Sequence, residues 1–123
     1  MGEANLTNLG TVVGKTYSSS LPSGTNITFE HNVFGGNETW LVKSLILANN
    51  ASNNTDVEAS VWVNNRVNGV IYIMYKTWVP YGTTLVVLDE STPIYLQNLH
   101  YITVNSHQGD GLNFTIKYET LRE

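Results

Sequence analysis

Apolar and polar residues alternate along most of this chain. Leu112, Phe114, Ile116 and Tyr118 fall on one side of an extended segment, and Asn113, Thr115, Lys117 and Glu119 on the other. Successive side chains of a β-strand point to opposite faces, so the pattern predicts a strand with one buried and one wet face. Val57, Ala59, Val61 and Val63 alternate in the same way with Glu58, Ser60, Trp62 and Asn64. Further strands are predicted over 11–17, 25–29, 40–48, 70–79, 84–88, 94–96 and 101–105, and helical periodicity is hard to find. Turn-forming clusters separate them: Pro22-Ser23-Gly24, Gly35-Gly36-Asn37, the run 49–56, Asn68-Gly69, Pro80-Tyr81-Gly82, the run 89–93 and Gly109-Asp110-Gly111. Short strands with turns at about 8–12-residue spacing predict an all-β antiparallel sandwich, jelly-roll-like, of about 7–9 strands. Residues 18–24 read as loop. Residues 1–10 have little to bury and read as a flexible N-terminal arm; residues 11–121 read as a single β-sandwich domain.

One segment breaks the alternation. Residues 70–75, Val-Ile-Tyr-Ile-Met-Tyr, are apolar on both faces, and Trp62 falls on the polar side of its own strand. A sheet with one wet face does not look like this. Three explanations stand open. The strand is central and covered on both sides; or one face packs against another subunit through Trp62, Val70, Tyr72, Met74, Tyr75 and Trp78; or Trp62, Tyr72, Tyr75 and Trp78 form a platform on which sugar rings stack.

Composition narrows the classes. The chain has 123 residues, enough for one core, with 41% hydrophobic residues. Charged residues make up 13%, against roughly 25% in ordinary domains, and Asn, Thr, Ser and Gly take their place. The net charge is −4 with six Lys and Arg, which argues against nucleic acid and against an anionic membrane surface. Cysteine is absent, so no disulfide framework or thiolate metal site exists, in keeping with a protein made in a reducing cytosol. No signal peptide is visible, and no apolar stretch approaches a membrane span.

Candidate chemistry is thin. His31, His100 and His107 lack metal-ligand spacing, although His100 and His107 could approach Asp110 across the last hairpin. Asp89, Glu90 and Asp110 lack an EF-hand pattern. No nucleophile elbow or phosphate loop occurs. Six Asn-x-Ser/Thr sites, at Asn5, Asn26, Asn37, Asn50, Asn53 and Asn113, are accounted for by the abundance of Asn and Thr. No catalytic residue, metal or cofactor is expected, and the chain is not expected to be an enzyme.

From residue 40 the order of strands and turns becomes distinctive. "WLVKSLILANNASNNTDVEASVWV" is followed by "YIMYKTWVPYGTTLVVLDESTPIYLQNLHYITVNS" and closed by "LNFTIKYETL". This order resembles small β-sandwich virion structural proteins of tailed bacteriophages, of the head-decoration, neck or tail accessory type. The resemblance spans 40–121 and extends loosely to "LGTVVGKTY". Pro80, Gly82, Leu85, Pro93, Leu96, Ile102 and Val104 match positions that shape that fold, and His100 stands where an acidic turn residue is more usual. The resemblance implies a non-enzymatic virion component, assembled in the host bacterial cytoplasm. Its partners would be capsid, neck or tail proteins and copies of itself, a trimer among the options. The alternative is a carbohydrate-binding, host-attachment module.

Overall fold

In the computed structural model, residues 11–22, 24–31, 38–50, 54–108 and 112–122 are described. They form nine strands and no helix: β1 (Thr11–Leu21), β2 (Asn26–Glu30), β3 (Glu38–Asn49), β4 (Val57–Asn64), β5 (Val70–Val79), β6 (Thr84–Leu88), β7 (Ile94–Leu96), β8 (Tyr101–Gln108) and β9 (Leu112–Arg122). The predicted arm at 1–10 and the predicted breaks at 35–37 and 109–111 lie outside the described residues.

All pairings are antiparallel. One sheet runs β1-β9-β3-β6, with β7 also on β3; the other runs β2-β8-β4-β5. β6 and β7 share one edge of β3: Leu45 to Ala48 pair with β6, Trp40 to Val42 with β7. They are two halves of a single edge strand interrupted by the turn at 89–93. Counted so, eight strand positions form two four-position sheets, and the chain crosses between the sheets at every step except β4 to β5, the connectivity of a jelly roll.

Alternation carries the core. Leu112, Phe114 and Ile116 of β9, Val42, Leu45 and Leu47 of β3, Val57, Ala59 and Val61 of β4, and Ile102 and Val104 of β8 are all at most 1% exposed. The turns obey their residues: Thr83 N–H donates to Pro80 O at 3.1 Å with Gly82 at φ 76°, a left-handed position that glycine adopts without strain.

One prediction fails. Residues 18–21 are not loop: β1 continues in register on β9 as far as Leu21 opposite Leu112. Three serines gave no apolar signal, but Leu21 is 1% exposed, and its burial holds the strand to its end.

Candidate functional site

The exceptional segment is an edge strand. Among the described residues β5 pairs with β4 alone in its sheet, which is not the place of a central strand covered on both sides. Val70, Ile71, Tyr72, Tyr75 and Trp78 are each 45–57% exposed.

Two register shifts explain its apolar pattern. Trp62 pairs with Tyr72 but Val61 with Met74, so Ile73 is an extra residue; Val61 pairs with Met74 but Ala59 with Thr77, so a second extra residue lies at Tyr75–Lys76. Each bulge converts the two-residue period of a strand locally into three. Tyr72, Tyr75 and Trp78 therefore share the outer face, opposite or beside Trp62 and Glu58, while Ile73 and Met74 turn in and pack against the core. Strict alternation would have put Tyr72 and Tyr75 on opposite faces.

The second bulge has a built support. Ser60 is fully buried, and its Oγ accepts the Lys76 backbone N–H at 2.8 Å, where Lys76 has φ 43°. The same Oγ is 2.8 Å from His107 Nε2. A polar side chain read as solvent-facing is thus the peg that holds Lys76 in a left-handed conformation.

The outer rings touch edge to face. Trp62 and Tyr72 have centroids 5.5 Å apart with planes at 64°, and Tyr72 and Tyr75 are 4.8 Å apart at 78°. Lys76 Nζ lies 5.5 Å from the Tyr75 ring centroid. The row is continued at its other end by Tyr101, opposite Asn64, with the Arg66 guanidinium 4.9 Å from its ring centroid and 2.8 Å from Glu30. The β2–β8 half of the same face is hydroxyl and amide: Thr28 and Thr103 hydroxyls are 3.2 Å apart, and Asn105 donates to Asn26.

Of the six residues singled out from sequence, Trp62, Val70, Tyr72, Tyr75 and Trp78 share this face, and Met74 does not. Tyr101 and Arg66 were missed. Tyr101 heads an alternating run whose even members, Ile102 and Val104, are buried, which is the signal that places it outward.

The remaining candidates are dispersed. His100 and His107 sit near opposite ends of β8, about 20 Å apart along a strand of seven steps, and do not converge. His31 is buried, with Nε2–H donating to Glu38 O at 2.9 Å and its ring 4.6 Å from Trp40. His100 Nδ1 accepts the Gln97 N–H at 3.1 Å; desolvation, then His31 and Arg66, hold its pKa below the usual histidine value. Asp89 caps its own turn by accepting from Ser91 and Thr92, hydrogen bonds that lower its pKa. Glu90 pairs with Lys43 at 3.5 Å. Asp110 lies outside the described residues. Among the described residues no three His, Asp or Glu side chains form a group able to hold a metal ion.

No family model matches the sequence, and no curated protein does. Solved structures share the fold. One is a protein of Bacillus endospore appendages, described as disulfide-linked pili: TM-score 0.51, 10% identity, covering 91% of this chain and 88% of that one. Another is a chain of the T13 IBDV viral particle: TM-score 0.50, 12% identity, covering 92% of this chain. This chain spans 31% of that viral chain. At these identities the likeness is one of fold. The pilus likeness also stops short of chemistry, since this chain has no cysteine to link.

Proposed function

We propose that this chain is a non-enzymatic structural subunit of a tailed-phage virion, a capsid decoration, neck or tail accessory protein. It works by seating the outer face of β4 and β5 on a protein partner. The carrying observation is the aromatic row. Two bulges, one pinned by a buried serine, gather Tyr72, Tyr75 and Trp78 on one face and leave each about half exposed. Exposed contiguous aromatics mark interaction surfaces, and such side chains supply much of the energy of protein contacts. The shared fold with pilus and viral-particle chains supports an assembly role, and the resemblance over 40–121 supports the phage context and assembly in the host cytoplasm.

Ring geometry favours a protein partner over a glycan. A platform for stacked sugars presents parallel ring faces. Here the planes stand at 64° and 78°, so the faces of Tyr72 and its neighbours are turned on one another's edges.

The test uses particles produced from the genome that encodes this chain. Mass spectrometry should find the chain in purified particles in many copies. Particles assembled without it should take up added wild-type protein, but not the Tyr72→Ser/Trp78→Ser variant. Absence from purified particles overturns the reading. Glycan-array binding that is lost in Trp62→Ala would replace it with the host-attachment module.

A further inference from the structure

Ser60 lies on β4 between two irregular neighbours. On one side is the β5 bulge at Tyr75–Lys76. On the other, β4 pairs Glu58 with Gln108 but Ala59 with Ser106, so His107 is an extra residue in β8. The two bulges meet at one fully buried hydroxyl. Ser60 Oγ is 2.8 Å from the Lys76 backbone nitrogen and 2.8 Å from His107 Nε2.

Valence fixes the direction of both bonds. A backbone N–H can only donate, so Lys76 occupies a lone pair of Oγ. The Ser60 hydroxyl hydrogen then needs an acceptor, because a buried donor left unpaired is costly. Among the described residues the only other hydrogen bond of Oγ is the one to His107 Nε2. Nε2–H donating to Oγ would aim two donors at one oxygen and leave the hydroxyl hydrogen with no acceptor. The neutral ring therefore presents a bare Nε2 and carries its hydrogen on Nδ1. The chain runs one way, from Lys76 N–H through Ser60 O–H to His107 Nε2, and each bond polarises the next.

We propose that His107 is a positioning residue for the aromatic row: through Ser60 it holds Lys76 in its left-handed conformation and keeps Tyr75 on the face that carries Tyr72 and Trp78. This rests on the docking reading above and adds to it a residue that acts from a distance. Among the described residues the His107 ring makes no contact with the outer rings, so its hold passes through the serine. Lys76 has φ 43°, a conformation that a lysine keeps only where its surroundings impose it. Without the acceptor the Ser60 hydroxyl is free to turn, and the lone pair aimed at Lys76 is no longer fixed. Relaxation of Lys76 to negative φ would remove the bulge, and with it the three-residue step that puts Tyr75 beside Tyr72.

The experiment combines NMR on the full chain with uptake by particles assembled without it. At about pH 8, where an ordinary histidine is neutral, nitrogen spectra of the wild-type His107 ring should show a bare Nε2 and a protonated Nδ1. The opposite tautomer overturns the proposal without any substitution. His107→Phe keeps a ring and removes the acceptor. Exchange of the Lys76 amide should then accelerate roughly tenfold, the Tyr72–Tyr75 contact should be lost, and uptake should fall. His107→Gln brings an amide oxygen to the Ser60 hydroxyl and should restore all three. Wild-type exchange in His107→Phe overturns the proposal. Failure of His107→Gln to restore it overturns it too, because the effect then lies in lost packing. Faster exchange with wild-type uptake separates His107 from docking and overturns the positioning role, while the Tyr72→Ser/Trp78→Ser variant still judges the docking reading. Wild-type protein that particles do not take up overturns the docking reading and with it the role in docking; the NMR results then decide only the hold on Tyr75.

Discussion

Two groups of aromatic rings occupy this small protein and differ in what surrounds them. The inner group joins Tyr17 of β1, Phe29 of β2, Trp40 of β3 and Tyr118 of β9. Phe29 is 5.5 Å from Tyr17, 5.3 Å from Trp40 and 4.9 Å from Tyr118. The outer group joins Trp62, Tyr72 and Tyr75 on two neighbouring strands at similar spacings. Ring contact alone does not separate core from surface. The inner rings come from both sheets and close the space between them: Phe29 is buried at the centre, Trp40 and Tyr118 are partly buried against the core, and Tyr17 stands at the exposed rim. The outer rings come from one sheet, and Tyr72 and Tyr75 are about half exposed among the described residues.

The sharpest way to separate the groups is to delete one ring from each. Phe29 touches three aromatic partners and is 7% exposed, so Phe29→Ala should cost about 3–5 kcal/mol of stability, read from denaturant unfolding. Tyr72→Ala, on the outer row, should cost under about 1 kcal/mol in the same experiment. Comparable losses would mean that the outer row is part of the fold's own core, and the comparison would collapse.

Between these limits stands Ser60, which belongs to the core by burial and to the outer row by effect. Ser60→Ala leaves the Lys76 N–H without its partner, a loss of about 1–3 kcal/mol. Hydrogen exchange at the Lys76 amide should accelerate, and Tyr75 should lose its contact with Tyr72. An unchanged exchange rate would show that the bulge is held by something other than the serine.

The contrast also marks what the sequence could reveal. Strands with regular register, such as β9 with Leu112, Phe114 and Ile116, were legible because period-two alternation maps directly onto inside and outside. β5 was legible as a strand but not as a face. Its two bulges leave no composition signal, and without them Val70, Tyr72 and Met74 fall together while Tyr75 falls opposite. The serine that fixes the second bulge looked like an ordinary solvent-facing position, because its partner is a backbone N–H sixteen residues away. Leu21 was hidden for a similar reason. Three serines precede it, and only pairing with β9 shows that the strand reaches it.

Acid gives the gentlest test, through a histidine next to the inner group. His100 sits behind that cluster: its backbone carbonyl accepts the His31 N–H at 2.9 Å, and the His31 ring packs on Trp40. Desolvation first, then the charges of His31 and Arg66, lower the His100 pKa from the usual 6.5. Between that lowered value and 6.5 the unfolded chain binds more protons at this site than the folded one. The site's contribution to stability is therefore present above about pH 6.5 and lost as pH falls through the folded value. Protonation would also take the Nδ1 acceptor from the Gln97 N–H. The unfolding midpoint should decline as pH is lowered from neutrality toward 5, and His100→Gln should make that decline shallower. A decline of the same slope in His100→Gln would move the acid sensitivity to another group. In both proteins the Tyr72→Ala substitution should leave the slope unchanged, because among the described residues no histidine ring packs on the outer rings.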